Sequence, residues 1–176
     1  MNKILLITFC LIGSIGFSQT FNAGLRFQKT QNMYWENGVA FQYTFKNMNP
    51  DKWIFGFDYV TSRLGSAINS NALKQDNFIL SASYNFGNKE LPVKFFLRAN
   101  TGLFVVDYEY DIFKDIPNKA LLLGIEPSVC YIFKEAPIKM NLGLNINFAT
   151  TKEGYNPGTL QTFMYHLDFF YTVFKK

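Results

Sequence analysis

The chain has a single histidine, His166, and it stands two residues before Asp168 in the stretch Phe163–Phe174, FMYHLDFFYTVF. Alternate side chains of an extended chain point the same way, so imidazole and carboxylate share a face. A histidine with an acid beside it is the arrangement of a general base and the group that orients it. No nucleophilic serine is marked by a local motif to go with them. Four more charges could join the pair: Arg26, Asp58, Arg98 and Glu126 each fall near the middle of an alternating segment. Buried charges must find partners or carry a large desolvation cost, so a mutually paired plug is favoured over a catalytic cluster. No catalytic residue, metal ligand or cofactor is assigned. Cys130 is the one cysteine beyond the N-terminal leader, which leaves no disulfide and no metal-binding pair. It is expected to be a small wall or core residue.

Extended elements must position those charges. In Phe163–Phe174, Phe163, Tyr165, Leu167, Phe169, Tyr171 and Val173 lie on one side, against Met164, His166, Asp168 and Thr172. Phe170 is the bulky exception on the polar side. Seven earlier segments repeat this period of two. Arg26 lies in the first, where Phe21, Ala23, Leu25 and Phe27 alternate with Asn22, Gly24 and Gln28. Val39–Lys46 follows, then Trp53–Val60 with Asp58 on its polar side, and Phe78–Phe86. Val93–Val105 carries Arg98, Leu121–Phe133 carries Glu126, and Ile138–Phe148 has the cleanest alternation. Pro127 cannot donate a ladder hydrogen bond, so a bulge or local break is expected in the sixth segment. Ile79, Phe96, Phe104 and Leu122 also fall on the polar side, which predicts some apolar packing inside.

Asn47–Asp51, Gly87–Pro92 and Lys134–Pro137 are turn sequences, and they alternate with longer polar stretches near 62–75, 107–119 and 150–159. An even number of strands joined by short turn, then long loop, predicts an all-β fold: an eight-stranded antiparallel transmembrane up-and-down β-barrel. Each segment is about the 9–11 residues that cross a bilayer at a tilt. The first and last strands must pair, because closure removes the edges. An Arg26–Asp168 contact is expected across that seam, and Arg98 beside Glu126 within one hairpin. Lys46, Lys94 and Lys139 fall on the polar face near the short-turn end.

A secreted soluble barrel would show the same alternation turned inside out. Roughly forty apolar side chains, many of them aromatic, cannot fit an interior just wide enough for side chains or one small ligand. Apolar-out is therefore the consistent assignment, with Trp53, Tyr59, Phe86, Phe133, Phe148 and Phe163 as aromatic girdles. A net charge of +4 with scattered lysines and arginines leaves no stripe for nucleic acid. Residues 1–18 read as a secretory signal peptide: Lys3, the apolar run Ile4–Ile15, then Gly16 and Ser18, with cleavage before Gln19. Residues 19–176 form one barrel domain.

In architecture the chain resembles the small eight-stranded outer-membrane proteins of Gram-negative bacteria, of the OmpA and OmpX type. The local motif is Phe169–Phe174, which looks like the aromatic C-terminal signal read by the barrel-assembly machinery; Lys175 and Lys176 follow it here. The resemblance implies the bacterial outer membrane, with lipids of that membrane and the assembly machinery as partners. The interior then forms a plug, and a structural or surface-interaction role is expected. A narrow porin-like channel and a lipid-modifying enzyme are the alternatives. Aromatic and charged residues meet at Met33–Glu36 and Asp107–Asp115, so Tyr34, Trp35, Tyr108 and Tyr110 are candidate loop contacts for an envelope partner.

Overall fold

Alternating apolar and polar residues produce eight strands: β1 (Ser18–Thr30), β2 (Trp35–Phe45), β3 (Trp53–Leu64), β4 (Leu73–Asn85), β5 (Val93–Tyr108), β6 (Lys119–Ile132), β7 (Ile138–Asn147) and β8 (Phe163–Lys175). The computed structural model describes residues 18–30, 35–49, 51–64, 73–88, 90–108, 118–148 and 163–175. Each strand pairs antiparallel with the next, and β8 returns to β1, so the sheet is a closed barrel. The expected leader lies outside the described residues up to position 17, and β1 starts at Ser18.

Turn chemistry ends the strands at one rim. Asn49 Oδ1 accepts the Asp51 N–H at 3.1 Å between β2 and β3, and Asn85 Oδ1 accepts the Gly87 N–H at 2.8 Å after β4. Between β6 and β7, Phe133 N–H reaches Ile138 O at 3.1 Å. These are local bonds that asparagine and the backbone supply without a partner element.

The two faces differ as the period of two requires. Leu25, Leu80, Leu103 and Leu142 are each more than half exposed on the outer wall, whereas Arg26, Asp58, Glu126 and Asp168 have no exposure at all. Aromatic pairs crowd the turn rim: Trp53 with Tyr84 at 5.1 Å between centroids, Tyr84 with Phe86 at 5.0 Å, and Tyr131 with Phe133 at 4.9 Å. Ile79, Phe104 and Leu122 pack inside with Val106 and Met164 as an apolar layer toward the loop end. Phe96 instead lines the turn-end cavity.

Two irregularities have separate outcomes. Of the bulge or local break expected at Pro127, only an interruption on one side occurs: β6 is continuous, and Leu97 pairs with Pro127 in unbroken register with β5. On the β7 side the ladder omits Glu126 and Pro127, then resumes in the same register at Ser128↔Gly143. The missing N–H thus leaves a gap in one ladder without changing which side chains face inward. Register does shift on β1, between Ser18 and Thr20 against β2 and between Phe21 and Asn22 against β8 at the closing seam.

Candidate functional site

Five strands send the six interior charges to one level. Arg26 of β1 and Asp168 of β8 are direct partners across the closing seam, and Arg98 of β5 and Glu126 of β6 are partners within their hairpin. Asp58 comes from β3 and His166 from β8, on the same inward face as Asp168. Parity and depth turn these groups inward at one level, and closure of the sheet brings them together.

There they form a network rather than pairs. Arg26 Nη1 lies 3.2 Å from Asp58 Oδ2 and 3.6 Å from Asp168 Oδ2, while its Nη2 donates to Glu126 Oε2 at 3.1 Å. Arg98 also donates to Asp58 Oδ2, and its Nη1 stands 3.5 Å from Glu126 Oε1. His166 Nε2 is 3.0 Å from Glu126 Oε1, and Nδ1 is 3.1 Å from Asp168 Oδ2. Neutral groups fill remaining sites: Arg26 Nε donates to Gln28 Oε1, Asn141 to Asp168 Oδ2, and Asn100 to Glu126 Oε2. Two arginines and one histidine therefore face three carboxylates inside the barrel.

Glycine makes the space. Gly143 of β7 pairs with His166, and a Cβ there would fall on the imidazole Nε2. Gly24 of β1 pairs with Phe170, and a Cβ there would meet the phenyl ring at 2.7 Å. The bulky exception on the polar face of β8 is thus accommodated inside, where it is 1% exposed.

The geometry bears on base chemistry. Both nitrogens of His166 face carboxylates, and the residue is 2% exposed, so neither nitrogen is open to a substrate. The Asp168 contact orients the ring as it would in a base–orienter pair, but Glu126 occupies the position a proton donor would need.

Other sequence-derived positions divide. Lys94 and Lys139 line a cavity of about 780 Å³ at the turn end, together with Arg98. Lys46 does not: it lies past the end of β2 in the turn and is exposed, because the strand stops at Phe45 before its parity can act. Trp35 is the first residue of β2 rather than a loop residue, with Lys29 Nζ 5.3 Å from its ring centroid. Tyr108 ends β5 instead of lying in a loop. Tyr34 and Tyr110 lie outside the described residues.

Glu36 was not recognised among the interior charges. It sits fully buried on β2, accepting from Gln28 Nε2 and from Asn77 Nδ2. The stretch around it is polar, which hides the strand start; extending the alternation of Val39 and Phe41 back to Asn37 and Trp35 turns Glu36 inward.

No family model and no curated protein matches the chain. Solved structures do. The N-terminal β-barrel domain of Pseudomonas aeruginosa OprF superposes with a TM-score of 0.63 at 12% identity, covering 89% of this chain and 98% of that one. Neisserial surface protein A (NspA) gives a TM-score of 0.55 at 16% identity, covering 89% of this chain and 96% of its own. At such identities the likeness is one of fold: an eight-stranded barrel of the outer-membrane type.

Proposed function

We propose that this chain is an integral outer-membrane β-barrel with a structural or surface-interaction role, its interior closed by the ion network. The observation that carries this reading is the inverted distribution of polarity: leucines and aromatics cover the wall, and fully buried charges fill the axis. Such a wall is favourable only against lipid. The fold shared with the OprF domain and NspA supports the same location. A pore needs an open axis, and the level of Arg26, Asp58 and Glu126 has none. With both imidazole nitrogens enclosed by carboxylates, a non-enzymatic role is the better reading. The loops are then the surface available to an envelope partner, and the lipids and the assembly machinery are the partners of insertion.

Two measurements test this. In intact cells Asn69→Cys and Asn156→Cys should react with an impermeant thiol reagent and Asn88→Cys should not, because Asn88 lies in a short turn of the opposite rim. Labelling in the reverse sense inverts the orientation, and recovery of the protein in the soluble fraction removes the reading. In planar bilayers the protein should show no steady conductance; a steady open level would favour the channel.

A further inference from the structure

We propose that the turn end of the barrel is an anion-binding vestibule, which takes a small molecule bearing phosphate or carboxylate groups. This goes beyond the structural role above and does not depend on it.

The cavity there, about 780 Å³, has the size of a small-molecule site, which typically spans about 300–1,000 Å³. Its charge is one-sided. Lys94 reaches in from β5 and Lys139 from β7, with Lys134 and Lys175 at the rim and Arg98 as the floor. The acids that line it, Asp51 and Glu90, both belong to the rim turns. Lys94 is the register partner of Cys130 on β6, and Lys139 that of Ile132, so the two ammonium groups flank one strand. Lys94 and Lys175 act on Lys139 as like charges, and among the described residues Lys139 makes no ion pair. A concavity lined by more positive than negative charge concentrates anions.

A second observation comes from the cavity wall. Arg98 and Asn22 are 3% and 1% exposed and both line the cavity. Among the described residues Arg98 Nε and Asn22 Nδ2 have no acceptor. A guanidinium N–H and an amide N–H without acceptors, on residues that line one cavity with two lysines, are donors that an oxyanion could satisfy through charge-assisted bonds. Arg98 meanwhile holds Asp58 and Glu126 with its other nitrogens.

Cys130, which lines the same cavity beside Lys94, reports on it. In a Cys10→Ser protein it is the sole thiol. Its modification by an anionic methanethiosulfonate should outpace that by a cationic one by about tenfold or more, as focusing by the lysines requires. Millimolar pyrophosphate should slow the reaction, and Lys94→Gln/Lys139→Gln should remove both the charge preference and the protection. Either single variant should weaken them if the double variant does not fold. Protection without pyrophosphate in nanodiscs of anionic lipid, absent in zwitterionic ones and absent in the double variant, would assign the anion to a lipid headgroup at the same site. Equal rates for the two reagents, or protection that survives in the double variant, would overturn the proposal.

Discussion

Arg26 offers its guanidinium to Asp58, Glu126 and Asp168 together, so its removal is not the loss of one pair. Leaving buried carboxylates uncompensated should cost about 3–5 kcal/mol for Arg26→Met. For an isolated pair, adding Asp168→Leu would restore most of that loss. Here Asp58 and Glu126 still lose an arginine and keep Arg98, and His166 loses the Asp168 contact, so the double variant should recover only part. Urea unfolding in lipid vesicles measures both steps; full recovery would mean that Arg26 serves Asp168 alone. Gly143 acts at the same scale by leaving room. A methyl group there would fall on His166 Nε2 and lie 2.9 Å from Ser128 Cβ, too near for either to stay in place. Gly143→Ala should destabilise by about 1–3 kcal/mol, the usual cost of overpacking. Unchanged stability would place the imidazole elsewhere.

Among the strands, β6 shows how an element tolerates its worst residue. Pro127 is exposed on the outer wall and keeps its partner Leu97 on β5. Only the β7 ladder loses contacts, at Glu126 and Pro127. A backbone carbonyl beside proline that faces lipid has no water to fall back on. Pro127→Leu should therefore supply the missing N–H without changing the register, and stabilise the barrel by about 0.5–1.5 kcal/mol. A higher urea midpoint is the expected result. A lower midpoint would mean that β6 needs the proline to hold its twist.

For the whole molecule the decisive property is which face meets lipid. Leu142 is 59% exposed in the middle of β7, while Gln42 faces the turn-end cavity, where a longer side chain finds room. An arginine near the bilayer midplane on the lipid side should cost about 2–4 kcal/mol. Leu142→Arg should thus impair assembly and lower the unfolding midpoint, and Gln42→Arg should leave both near those of the parent. Equal effects of the two changes would refute the apolar-out arrangement. Asn141 offers no such room, because it is buried and donates to Asp168.

The period of two determined most of the architecture by itself. It assigns Leu25 outward and Arg26 inward with no knowledge of neighbours, because a strand has only two sides. Eight such segments with polar turns leave closure as the way to satisfy both edges, and the partners Arg26↔Asp168 and Arg98↔Glu126 follow from depth along adjacent strands. Where a strand begins or ends is less legible, since polar residues continue smoothly from strand to loop. That hid Glu36 at the start of β2, put Trp35 in a loop and turned Lys46 inward. Contacts across the lumen lie beyond any local pattern. Arg26 and Glu126 are 100 positions apart on strands that are not neighbours, and only the curvature of the closed sheet brings their side chains to 3.1 Å. The same curvature decides that the charges form one shared network, because a barrel this narrow directs every inward mid-strand side chain to a common axis.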